Sequence, residues 1–181
     1  MISVETLNWF LGAGTIALQI ITAVLVLAYL LREKHSLAAS IVRLVGEYAL
    51  WAAFLLSLAG TALTLYYSDV IGYVPCGLCW LTRIFFYPQV ILFAIALYKK
   101  EAARIADYSI ALSIPGALIA LYTHYLQMGG NKLLPCPASG VGDCGKRYIF
   151  EFGYVTMPMM GLSLLVLLIV LMYIVRRLNT R

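Results

Sequence analysis

YVPCGLCWLTRIFFYP, residues 73–88, sets a Cys-x-x-Cys pair directly ahead of an apolar run. Pro75 precedes the first cysteine, and Arg83 follows the second by four residues. Cys76 and Cys79 are close enough to bridge, or to react as a dithiol. A helix starting here would aim free backbone N–H groups and the positive end of its dipole at the pair. Both effects stabilise a thiolate. Helical spacing puts Cys79 and Arg83 on one face. An arginine near the end of a membrane helix is costly unless it snorkels to head groups or finds a partner. A negative sulfur, or an electron-accepting ligand beside it, is such a partner. The stretch reads as a redox centre at a membrane surface.

The rest of the chain supplies the membrane. Of 181 residues, 63% are hydrophobic and only 12% charged, far from the balance of a soluble domain. Five apolar runs are long enough to span: Leu7–Leu31, then about 44–67, 80–98, 105–127 and 155–175. The first could be a cleaved signal, but Glu5 precedes it and Arg32 and Lys34 follow it, the reverse of a basic start. Pro88 and Pro115 fall inside runs three and four, where a kink is tolerated if neighbours satisfy the freed carbonyl. The chain is expected to form one membrane domain over residues 1–181.

Charge sets the expected orientation. Arg32, Lys34, Arg43, Lys99, Lys100, Arg104, Arg176, Arg177 and Arg181 fall on one side, nine in all. Lys132, Lys146 and Arg147 fall on the other, and Arg83 lies within run three. The positive-inside rule places the nine in the cytoplasm, with the N-terminus out and the C-terminus in. The clustering also accounts for the net charge of +5 without nucleic acid. Every cysteine then lies outside, where disulfides persist. Cys136 and Cys144 sit in a long loop, residues 128–154, whose first half is rich in Gly, Pro and Ser and reads as turns and mobile backbone.

Bland readings compete with each site. Cys76–Cys79 as a structural staple closes too small a loop to constrain much. Cys136 and Cys144 could be a staple or an exchange partner for the first pair. Four cysteines could hold zinc, but the second pair lacks the usual short spacing. Arg83 could merely snorkel, and His124 could be an ordinary interfacial histidine.

LYYSDVIGYVPCGLCWLTRIFFYP, with His124 to Gln127, the paired-cysteine loop and Gly153-x-x-Thr-x-Pro158, closely resembles the DsbB/BdbC disulfide bond formation proteins. The likeness covers roughly residues 48–173. In the vitamin K epoxide reductase-like proteins the membrane Cys-x-x-Cys follows the loop pair; here it comes first. The resemblance implies an all-α integral membrane fold: a four-helix bundle over 44–175, plus an extra N-terminal span at 7–31 that many relatives lack. It implies a thiol oxidoreductase of the plasma or inner membrane. Cys136–Cys144 would meet a DsbA/BdbD-like thioredoxin-fold oxidase, and Cys76–Cys79 would pass electrons to a ubiquinone or menaquinone. Arg83, and His124 with it, would help bind that quinone. A membrane reductase running the other way, and a non-enzymatic scaffold with structural disulfides, are the alternatives.

Overall fold

The apolar runs become helices at nearly the expected places. The structure, a computed structural model, describes residues 3–99, 102–131 and 143–179. Its helices are α1 (Val4–Leu31), α2 (Ser36–Leu65), α3 (Gly77–Phe86), α4 (Pro88–Lys99), α5 (Ala102–Gln127) and α6 (Met157–Asn179). A π-helical turn, Tyr66–Val70, closes α2. With α3 and α4 counted as one, five segments are long and apolar enough to cross a membrane. The fold is all-helical, and the chain fits a multi-pass membrane protein.

Two boundaries differ from the sequence reading. α2 starts at Ser36, so Arg43 and Glu47 lie inside a helix rather than in a connection or at its start. No breaker precedes them, and at i, i+4 their opposite charges favour the helix. The third span is divided at Pro88, which has no N–H to continue the ladder. Gln89 repairs the break. Its Nε2 donates to the Phe85 carbonyl at 3.3 Å and to Ser113 Oγ at 3.0 Å. Its Oε1 accepts from Ser109 Oγ at 2.7 Å. Gln89 is wholly buried, so these bonds remove a cost of several kcal/mol for unsatisfied polar groups in a membrane.

α6 is the central helix, packed against α5, α2 and α1. Leu165, Leu168, Leu171 and Met172 form the middle of the core with Phe86 and Phe93. Gly116 lets α5 close on its neighbours, since a Cβ there would lie 3.1 Å from Phe85 Cβ and 3.2 Å from Leu165 Cδ1. Lipid tails are as apolar as leucine, so such close packing carries the association of membrane helices.

α1 is fixed to the bundle along its length. Tyr67 donates to Asn8 Oδ1 at 2.5 Å. Gln19 Nε2 donates to Ser163 Oγ at 2.9 Å, and Tyr154 donates to Gln19 Oε1 at 2.7 Å. Near its other end Tyr29 packs edge-on to Tyr173, with ring centroids 5.3 Å apart.

Candidate functional site

The chain leaves the π turn as irregular backbone and re-enters a helix at Cys76. Cys76 is the N-cap of α3, and its Sγ accepts from the Cys79 backbone N–H at 3.3 Å. The two Sγ atoms lie 2.6 Å apart. The local sequence dictates this. Pro75 favours extended backbone in the residue before it, and a cap residue one helical turn before Cys79 brings the two side chains together. Cys76 lies just ahead of the spanning segment Gly77–Lys99. Its thiol is pulled down to about 7, chiefly by the Cys79 thiol donating to it and less by backbone N–H groups, while burial opposes the shift. In the reduced pair, negative charge therefore settles first on Cys76.

Arg83 stands one turn further along α3. Its Nη2 donates to the Thr64 carbonyl at 3.1 Å, near the end of α2. Its guanidinium lies 5.0 Å from the Trp80 ring centroid and 6.0 Å from that of Tyr87. Tyr87 in turn is 2.9 Å from Thr64 Oγ1, so the arginine is held from two helices. One bond to Thr64 leaves guanidinium donors in reserve.

Beside these groups is a cavity of about 440 Å³. Cys76, Cys79 and Arg83 all line it, with apolar side chains from α1, α2 and α6 making most of the wall. Gln127 lines it too, and its Oε1 is buried without a hydrogen-bond partner. An apolar chamber lined by a dithiol and a cation suits a flat, oxygen-bearing head group on an apolar tail. A quinone is such a molecule, so the residues present fit the cofactor that the family resemblance implies.

His124 takes a different position. Its neighbours Thr123 and Gln127 line the cavity and His124 does not. Its Nδ1 lies 2.9 Å from Thr156 Oγ1, which also accepts from the Met159 backbone N–H at the start of α6. The histidine thus braces α5 against α6.

The loop cysteines are seen in part. Cys136 lies outside the described residues. Cys144 is disulfide-bonded and only 1% exposed, packed with Cys76, Leu78 and Leu126 in one buried cluster. That corrects the expectation of exposed, mobile backbone at this cysteine. Three contacts hold the loop around it against the helices. Tyr148 stacks on Tyr73 at 4.6 Å. The Tyr148 hydroxyl donates to the Val74 carbonyl at 3.2 Å, and Gln127 Nε2 to the Lys146 carbonyl at 3.1 Å. By sequence Tyr73 belongs to an aromatic belt at the membrane boundary and Tyr148 opens an interfacial stretch, while Gln127 has no role of its own. Aromatic residues spaced unevenly around both cysteine segments were the one available signal. Among the described residues no cluster of His, Cys, Asp and Glu could hold a metal ion.

The sequence profile described as "Disulfide bond formation protein DsbB" matches residues 46–175. The chain belongs to that family. It is 35% identical over 137 residues to Disulfide bond formation protein C of Bacillus subtilis, covering 74% of this chain and 94% of that protein. It is 40% identical over 116 residues to Probable disulfide formation protein C 1 of Bacillus anthracis, covering 64% and 83%. No solved structure matches the chain. Membership of the family makes this a thiol–disulfide oxidoreductase that serves disulfide bond formation.

Proposed function

We propose that this protein reoxidises a thioredoxin-fold thiol oxidase and passes the electrons to a membrane quinone. The observation that carries the reading is the shared cavity: a dithiol and an arginine line one largely apolar chamber. The nine-to-three split of basic residues supports an orientation with the cysteine end outside the cytoplasm.

The burial of Cys144 supports an order of thiol exchange. Cys144 is buried against Cys76, so the partner's thiolate attacks Cys136 of a Cys136–Cys144 disulfide. The S–S bond breaks and Cys144 leaves as thiolate beside Cys76. Cys144 then attacks the Cys76–Cys79 disulfide at Cys76, and Cys79 leaves as thiolate one turn from Arg83. The partner's second thiol displaces Cys136 and completes the partner's own disulfide. Cys136 next attacks Cys144, re-forming the loop disulfide and expelling Cys76. Once Cys79 has taken up a proton it donates to Cys76, and Cys76, with its thiol near 7, is then a good leaving group at neutral pH. Two electrons now reside on Cys76 and Cys79. A quinone, when bound, supplies the two-electron acceptor that restores their disulfide. Arg83 offers donors to a ligand oxygen.

The test mixes purified protein, a reduced thioredoxin-fold oxidase and ubiquinone-1 or menadione. One quinone should be consumed for each partner disulfide formed. Cys136→Ser and Cys144→Ser should each stop partner oxidation, while a small dithiol still reduces quinone through Cys76–Cys79. Partner oxidation at the normal rate in both variants would make the loop pair structural. Net reduction of partner disulfides by quinol would favour a reductase.

A further inference from the structure

The matched family region begins at residue 46, so α1 lies wholly outside it. Yet α1 is no loose appendage. Phe10, Leu11, Gly14, Thr15 and Leu18 line the same cavity as Cys76, Cys79 and Arg83. The hydrogen bonds of Asn8 to Tyr67 and of Gln19 to Ser163 and Tyr154 hold that stretch from either side. Tyr67 lines the cavity as well, so the anchor is itself part of the wall.

Two glycines on α1 differ in a telling way. A Cβ on Gly12 would lie 3.0 Å from both Glu151 Cβ and Phe152 Cε2, so this glycine serves packing. A Cβ on Gly14 would meet nothing within 4 Å. Gly161 on α6 is also open, and it lines the cavity too. α1 and α6 thus each present a residue without a side chain to the chamber, which widens it where larger residues would fill it.

We infer that α1 is a specificity-determining wall of the electron-acceptor site, with Gly14 setting the width available to the quinone's ring and tail. The inference rests on the quinone reading above. A bundle without α1 would leave this face of the chamber to lipid. Here the acceptor is bounded by protein on that face and is selected by shape.

The experiment is photo-crosslinking of the full chain in lipid nanodiscs with an azido-benzoquinone, competed by decylubiquinone. Mass spectrometry maps the labelled peptides, and competition gives affinity without turnover. Label is expected within residues 10–18 as well as on α3. Gly14→Leu should weaken competition by about tenfold or more, and Gly14→Ala by less. Gly161→Leu should weaken it from the opposite wall. Ile20→Leu, on a position of α1 that is 59% exposed, should leave it unchanged. Label confined to α3 and α6, with full affinity in Gly14→Leu and a loss in Gly161→Leu, would overturn the role of α1 and leave the quinone site standing. No competable label anywhere would remove the quinone reading, and the inference with it.

Discussion

Away from the cysteines, Phe93, Ala96, Ala106 and Met172 are at most 1% exposed and fill the space between α4, α5 and α6. At the cysteine end, the helices and their connections enclose about 440 Å³. Both ends contain polar groups, and they are treated differently. Around the Pro88 break, Gln89 spends every donor and acceptor on Phe85, Ser109 and Ser113. At the cavity, Gln127 leaves its Oε1 unpartnered. Fully satisfied polar groups rigidify a core, while a cavity lined by thiols and a cation leaves room for a ligand. The difference separates the part of the bundle that holds shape from the part that does chemistry.

The largest expected effect lies in the dithiol itself. The Cys79 thiol is the main cause that holds Cys76 near 7 rather than at the ordinary 9.0. Removing it in Cys79→Ala should return Cys76 toward 9.0, so the thiolate fraction at pH 7 falls from about one half to about one hundredth. Thiolate ultraviolet absorbance, taken as a difference against Cys76→Ser, checks both midpoints. The sign for stability follows from the lowered value. Stabilisation of the reduced protein is full above pH 9.0 and is lost as pH falls through about 7. Equal midpoints in the two proteins would mean that Cys79 does not govern Cys76.

A smaller effect is expected at the packed end. Met172→Ala would leave a cavity among Leu168, Val175 and the facing helices. Leu/Ile/Met→Ala in soluble cores costs about 2–5 kcal/mol. In a membrane the transfer from water largely drops out, and lost packing remains. About 2 kcal/mol is therefore expected in reversible unfolding in mixed micelles, with the quinone KM unchanged. A raised KM would show that the two ends are coupled.

How much of this was legible in the sequence differs by region. The five spans follow from apolar run length alone, and the N-cap cysteine followed from its place ahead of the run. The division at Pro88 was legible as a kink, but its repair by Gln89 depends on serines twenty and more residues away. The burial of Cys144 rests on Tyr73 meeting Tyr148 across the fold, which no local pattern encodes. Sequence spacing pairs Cys79 with Arg83 and so favours a thiolate on Cys79, but it does not reveal which thiol donates to the other. The docking of α1 on the bundle, unlike its lining of the cavity, has a signal in the sequence. Asn8, Gly12, Thr15, Gln19 and Thr22 recur at alternating steps of four and three, a small and polar seam on one helical face.

The smallest effect is also the most direct probe of the cavity's polar end. Arg83 sits one turn from Cys79 and donates one bond to Thr64. Its partly buried charge makes it costly to keep in a membrane unless it interacts favourably with a neighbour or ligand. In that medium water screens weakly, so the guanidinium stabilises both a sulfur thiolate and a ligand oxygen. Arg83→Ala should raise the quinone KM about tenfold or more, a loss of about 1.4 kcal/mol. Arg83→Lys keeps the charge but loses the planar fork that can grip an oxygen through two donors, so it should fall between. Single-turnover exchange between the cysteine pairs should survive both changes, because no quinone takes part in it. Steady-state quinone reduction by the three proteins separates the outcomes. An unchanged KM and kcat in Arg83→Ala would make the arginine an anchor between α3 and α2, held by the Thr64 carbonyl, and the acceptor's polar contacts would have to come from other residues of the cavity wall.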